Sequence, residues 1–92
     1  MRALKLYNSG DWDGSGGHLF VAAWSQQDAV ALVNQAHKKL MGYDGNMSLG
    51  HFREYWNKGC WGNDMNDVKR ERGVWWAKRV EGGWHGKPER VI

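Results

Sequence analysis

Two short stretches near the start of the chain, residues 2–8 and 18–24, alternate or cluster apolar residues as half-buried β-strands do. The nine residues between them, 9–17, are all Gly, Ser or Asp except Trp12, and these three residue types favour turns. The pattern predicts a β-hairpin whose long glycine-rich loop carries Trp12.

The period of the apolar residues changes to that of a helix after the second strand. Ser25, with Asp28 three residues later, is a typical helix start, and Gly42 can adopt the left-handed conformation that ends a helix. Between them the apolar positions recur every three or four residues: Ala29, Leu32, Val33, Ala36 and Leu40. We expect this helix to cover one face of a sheet.

The second half of the chain has weaker patterns. Ser48 is a candidate cap for a short helix that places Phe52, Tyr55 and Trp56 on one face, and the alternative is an irregular segment. Residues 68–72 and 74–81 are interpreted as strands, or as one long strand bent at Gly73.

Together these elements predict an α+β fold. We expect an antiparallel sheet of three to four short strands, one main helix packed on a face of the sheet, and a short second helix. At 92 residues the chain is predicted to be a single domain, residues 1–92, in which residues 82–92 form a loosely held basic tail.

Composition adds one strong feature, since seven of the 92 residues are tryptophan. A domain of this size has too little interior to enclose seven indoles completely, and exposed large aromatic side chains typically contact a partner. Trp12, in the predicted hairpin loop, and Trp84, in a glycine-flanked tail, have the least assured burial. They either protrude as anchors for a protein surface or fold back over the core.

Charge is concentrated near the end of the sequence. The formal charge is +3, but residues 1–67 carry six basic and seven acidic side chains, whereas residues 68–92 carry seven basic and three acidic ones. The segment 69–79 combines the cations with two indoles, and its candidate binding residues are Arg70, Arg72, Trp75 and Arg79. Cations attract phosphates and indoles stack on bases, so this mixture suits single-stranded nucleic acid, with Lys69 as a further contact. The alternative is a strand with core tryptophans and solvated charges between them.

No spacing of residues indicates catalysis or a bound metal. Asp11, Asp13 and Ser15 match only the first half of a calcium loop, because Ala22 stands where the bidentate glutamate belongs. The four histidines and the single Cys60 show none of the close pairs of zinc sites, and Cys60 has no neighbouring base. We therefore expect no enzyme, no cofactor and no metal. One cysteine, no signal peptide and no apolar run of membrane-spanning length predict a cytoplasmic protein.

The order of elements in the first half, a strand 4–7, a glycine-rich loop, a strand 19–23 and a helix that begins after Ser25, resembles small accessory proteins of phages and mobile elements, including some anti-CRISPR proteins. The resemblance covers the layout of elements, and no functional motif of that group can be transferred to residues of this chain. It implies a stoichiometric inhibitor that occludes or locks a host defence complex.

The sequence therefore predicts a non-enzymatic, phage-type binding protein that blocks a host defence complex of the CRISPR type by protein contact. Its partner is expected to be a host protein or ribonucleoprotein complex, in the host cytoplasm. The residues expected to make contact are Trp12, Arg70, Arg72, Trp75, Arg79 and Trp84. The alternative is a small nucleic-acid-binding domain that uses the basic aromatic strand.

Overall fold

The computed structural model describes residues 4–12, 17–58, 71–78 and 86–92, with the backbone only at 10–12 and 57–58. Its strands form one antiparallel sheet in the order β3-β1-β2-β4-β5, and two helices accompany the sheet. Three strands have six or more residues, and each outer edge of the sheet is a strand of two residues. The predicted α+β class is confirmed. Neither helix has the length and apolar character needed to cross a bilayer, within the described part of the chain.

The predicted hairpin forms, but its first strand ends later in the sequence than expected. Strand β1 spans Lys5–Trp12 and β2 spans Gly17–Ala23, so much of the predicted loop belongs to β1. The register shifts between Asn8 and Asp11, where a bulge admits the glycine- and serine-containing stretch into the ladder. The hydroxyl of Ser9 supports the irregular pairing by accepting a hydrogen bond from the backbone N–H of Leu19, 3.1 Å away.

Strand β4, Gly73–Lys78, pairs along its whole length with β2. It occupies only part of the segment interpreted as strands, because Glu71 and Arg72 lie before it, and residues 68–70 and 79–81 fall outside the described residues. Its side chains alternate between the two faces of the sheet, since Val74 packs in the cluster under the helix and Trp75 in the cluster on the opposite face.

The last described residues of the chain pair with the sheet. Strand β5, Glu89–Arg90, pairs with β4, and the next two residues continue the contact through backbone hydrogen bonds with Val74. Val91 and Ile92 pack against the main core as partly buried side chains. These contacts join residues 86–92 to the sheet, while residues 82–85 lie outside the described part, and the loose hold of residues 82–92 stays a prediction.

Helix α1, Gln26–Met41, begins and ends as the sequence predicts. The Ser25 hydroxyl accepts the N–H of Asp28 at 3.1 Å, and Gly42 adopts the left-handed conformation with φ of 89°, donating its N–H to Lys38 O at 2.9 Å. The buried positions of the helix are four of the five predicted apolar ones: Ala29, Leu32, Val33 and Ala36. They pack on the sheet face formed by side chains such as Leu19 and Val21.

Helix α2, Leu49–Tyr55, is also confirmed, and the Ser48 hydroxyl accepts the N–H of His51. Phe52 is buried under Tyr7, with the ring centroids 5.0 Å apart, and Trp56 stacks on Phe52 at 5.2 Å. Tyr55, which was predicted to share a face of the helix with these two residues, is 59% exposed.

The sheet is apolar on both faces. The face under α1 contains the larger cluster, and the opposite face carries Phe20, Ala22, Trp75 and Ala77, all buried, with Leu4 and Leu6 packed at their edge. Both faces of the sheet therefore contribute to the interior.

Candidate functional site

Four of the six predicted contact residues have side chains outside the described part of the structure. The backbone of Trp12 belongs to β1 and pairs with Gly17, which places it in the sheet instead of a free loop. Arg70, Arg79 and Trp84, and also Lys69 of the nucleic-acid alternative, fall outside the described residues. Their roles remain predictions.

Trp75 does not offer the exposed indole that the prediction needs. Only 5% of the residue is exposed, because β4 lies between β2 and β5 and its side chain stands between Phe20 on one neighbour and Arg90 on the other. The guanidinium carbon of Arg90 lies 5.0 Å from the centre of the Trp75 ring, a cation–π contact. The role of Trp75 as a contact residue stays a prediction, and its burial does not support that role.

Arg72 is exposed, but its guanidinium is occupied by a carboxylate. Its Nε and Nη2 donate to the two oxygens of Asp28 at 2.9 and 2.5 Å, a bidentate pair. The hydrogen bond to Asp28, and secondarily its charge, raises the pKa of Arg72 above its ordinary value. Arg90 is likewise paired with Glu71 at 2.8 Å. A phosphate that approached either arginine would have to compete with a carboxylate already in place.

The structure exposes a different set of large side chains. Among the described residues the exposed large hydrophobic ones are Trp24, Met41, Tyr43 and Tyr55, and the last two are the most exposed, at 61% and 59%. Three of the four fall within residues 41–55, which comprise the end of α1, the connection that follows it and α2. We call the exposed side chains of residues 43–55 the tyrosine surface: Tyr43, Asp44, Asn46, Ser48, His51, Arg53, Glu54 and Tyr55.

Tyr43 is fixed at the point where the chain leaves α1. The left-handed Gly42 turns the backbone, and His37 Nδ1 is 2.8 Å from the carbonyl oxygen of Tyr43, to which it donates a hydrogen bond. The two rings also meet edge to face with centroids 4.8 Å apart. The position of the exposed Tyr43 side chain is therefore fixed by a hydrogen bond to its backbone carbonyl and by the contact of its ring with His37.

Asn34 fastens the rest of the connection to α1. Its amide nitrogen donates to Met47 O at 3.1 Å, and its amide oxygen accepts the N–H of Met47 at 2.9 Å. Its backbone carbonyl accepts the N–H of Gly45 at 3.0 Å. A Cβ at Gly45 would stand 2.7 Å from the amide oxygen of Asn34, so the close approach requires glycine there. Asn34 thus holds two points of the connection, Met47 through its side chain and Gly45 through its backbone carbonyl.

Tyr55 stands at the other end of the same layer. Its ring contacts His51, one helical turn earlier, with centroids 4.6 Å apart. Arg53 Nε donates to Gln26 Oε1 at 2.8 Å, so the end of α2 lies beside the start of α1 and the two helices run antiparallel. Gln26 and His37 are eleven residues apart in α1, which separates the Tyr55 and Tyr43 ends by about 16 Å along the helix axis.

Sequence reasoning missed both tyrosines for identifiable reasons. Tyr43 lies in a connection without periodicity, and Tyr55 occupies a position that helical spacing alone allows on the buried face of α2. For Tyr43 the available signal was composition, because residues 43–51 are rich in the Tyr, Ser, Gly and Asn found in binding loops.

The described residues offer no arrangement that suits metal-dependent chemistry. Nowhere in residues 4–12, 17–58, 71–78 and 86–92 do three His, Cys, Asp or Glu side chains come together in a way that could hold a metal ion.

The chain matches no protein-family model, no curated protein and no solved structure in the comparisons made.

Proposed function

We propose that this protein is a non-enzymatic protein-binding module that makes contact through the tyrosine surface. The observation that carries the proposal is the pair Tyr43 and Tyr55, both more than half exposed and both mounted on a segment fastened to α1. Tyrosine offers a large contact area and a hydroxyl while losing few rotamers on binding.

Pre-organisation supports this proposal. A binding loop that must be ordered on association loses affinity to that ordering. Here Asn34 and His37 already fix the connection, and Ser48 caps the helix that follows. The polar side chains between the tyrosines, such as Asn46 and Ser48, are exposed and available for hydrogen bonds at the rim of an interface.

The identity of the partner is proposed on the resemblance described from the sequence. We propose a host defence complex of the CRISPR type, blocked by protein contact, with Trp12 and Trp84 as further anchors. Trp24, 37% exposed at the start of α1, is an additional candidate that the structure suggests.

Nucleic-acid binding is the second candidate function, and the described contacts favour it less. Of its five residues, Arg72 is engaged by Asp28 and Trp75 is buried beneath Arg90. A phosphate contact needs a cation without a competing carboxylate, and a stacking platform needs an exposed ring. Arg72 and Trp75 do not meet these requirements. The case for this function therefore depends on Lys69, Arg70 and Arg79.

The experiment compares the protein with the double variant Tyr43→Ala/Tyr55→Ala and with the control Gln35→Ala on the exposed face of α1. Each is used to capture partners from host cells with CRISPR immunity, and retention is quantified. We expect one partner to be retained by the wild type and the control, and to bind the double variant about 30-fold or more weakly, as loss of hot-spot residues does.

A second measurement separates binding from inhibition. Plating of a phage targeted by the host's CRISPR system is counted in cells that express each variant. We expect protection of the phage by the wild type and the control, and loss of protection by the folded double variant. Retention of a partner without protection would refute the inhibitor role and keep the binding role. Equal retention by all three proteins would refute the tyrosine surface.

A further inference from the structure

The outer edge of β4 is occupied by a short segment of the same chain, residues 86–92. Backbone hydrogen bonds run from Gly86 N to Lys78 O, from Val74 N to Ile92 O and from Val91 N to Val74 O, at 2.6, 3.1 and 2.8 Å. The two residues of β5 face Trp75 and Trp76 in the ladder. This is the geometry by which an extended peptide adds a strand to the edge of a sheet.

Side chains make the contact specific. Arg90 stands opposite Trp75 and lies over its ring, and the same guanidinium donates to the Glu71 carboxylate and to the carbonyl oxygen of Arg72, both at 2.8 Å. A cation with this planar fork satisfies all three neighbours at once. The next two residues, Val91 and Ile92, pack against the main core.

At the start of β4 the backbone of Gly73 lies very close to Ile92 and to the side chain of Arg90. At Gly73 the φ angle is 157°, and a Cβ would collide with the carbonyl oxygen of Ile92 and would lie 2.9 Å from Nη2 of Arg90. Glycine therefore creates the space in which the arginine and the end of the segment lie.

We propose that the edge Gly73–Lys78 is a recognition groove for an extended segment with an arginine followed by two apolar residues, filled here by the chain's own residues 89–92. The same groove accepts residues 89–92 of a second copy of the chain when the internal segment is released. The internal segment is held by a strand of two residues, and the Arg90–Glu71 pair is more than 40% exposed on both sides. Val91 and Ile92 are partly buried, so release of the segment begins with the exposed side-chain hydrogen bonds of Arg90. Solvent-exposed hydrogen bonds are the ones that open locally at low cost.

The test uses the full chain with Arg90→Ala, and as probe a synthetic peptide with the sequence of residues 86–92. Backbone amide signals of Val74 and Trp75 are followed by NMR as the peptide is added. We expect saturable shifts in the variant. In the wild type the tethered segment competes at an effective concentration in the range of mM, so binding should be at least about tenfold weaker. A peptide with alanine in place of its arginine should also bind at least about tenfold more weakly, because it lacks the charge-assisted contacts.

Lys87→Ala is the matched control, because Lys87 is exposed and lies in the same segment. It should behave as the wild type does. Circular dichroism shows whether Arg90→Ala folds. If it does not, Glu71→Gln replaces it, because this change removes the carboxylate that pairs with Arg90 and keeps the arginine. Absence of saturable shifts in the folded variant would overturn the proposal, and so would equal binding of the arginine and alanine peptides. A variant dimer that the peptide does not dissociate would also overturn it.

Discussion

At the scale of single residues, Tyr7 links the core to alkaline stability. Its ring is buried against Phe52, and burial raises the pKa of its hydroxyl above the ordinary value of 10.0. In the unfolded chain the phenol ionises near pH 10, whereas in the folded protein it holds its proton to higher pH. The folded state then binds more protons, so the free energy of unfolding falls as the pH rises from about 10 toward the raised pKa.

We therefore expect Tyr7→Phe to be less sensitive to alkali than the wild type. Denaturant unfolding between pH 8 and about 11, a window set by the ordinary tyrosine pKa, measures this slope. Tyr55→Phe is the control, because it changes an exposed tyrosine and should retain the wild-type slope. An unchanged slope in Tyr7→Phe would contradict the burial assigned to this hydroxyl.

At the scale of elements, the first turn of α1 is more than a local cap. Asp28 was expected to support the helix start, and its carboxylate does accept the backbone N–H of Trp24 at 3.0 Å. The same carboxylate holds Arg72, which precedes β4 and is distant in sequence. We expect Asp28→Ala to lower the free energy of unfolding by about 1–2 kcal/mol through the lost backbone contact. Gln27→Ala, at an exposed neighbour, should change it little, and chemical denaturation of both variants checks this. Equal stability of the two would refute the cap.

The connection between the helices supplies the next prediction. Asn34→Ala removes both side-chain hydrogen bonds to Met47 and should cost about 1–3 kcal/mol, the usual range for half-buried pairs. Hydrogen exchange of the Met47 amide should accelerate, since its acceptor is the amide oxygen of the Asn34 side chain. The Gly45 amide donates to the backbone carbonyl of Asn34, which the change leaves in place, and should be affected less. Affinity for a partner captured by the tyrosine surface should fall as well, although no contact residue has changed. Exchange as slow as in the wild type would show that other contacts order the connection.

The same elements explain how far the sequence could lead. Both caps of α1 are recognised within a few residues of sequence, so its start at Ser25 and its end at Gly42 were predictable. The extension of β1 through the glycine-rich stretch was not, because it depends on pairing with β2 across a bulge. The exposure of Tyr55 and the burial of Trp75 depend on which neighbours cover each face. Periodicity describes alternation but does not say which side is covered.

At the scale of the whole molecule, the number of cations in residues 68–92 exceeds the number that can contact a phosphate without leaving a carboxylate. Arg72 and Arg90 contribute two of the seven cations in this segment, yet each is paired with a carboxylate. Long-range attraction depends on net charge, whereas a phosphate contact needs a cation that can leave its present partner. The positive end of the sequence is thus compatible with a protein partner.

The salt dependence of binding to a single-stranded oligonucleotide shows whether a paired arginine contacts a phosphate. Each phosphate neutralised by the protein contributes about 0.7 to the slope of log affinity against log salt. We expect Arg72→Gln to leave the slope at its wild-type value, because the guanidinium is held by Asp28. Arg70→Gln is the comparison, since the nucleic-acid alternative assigns Arg70 to a phosphate as well. A loss of about 0.7 in slope for Arg72→Gln would show that the pair with Asp28 opens to bind phosphate. The basic strand would then replace the tyrosine surface as the better-supported site.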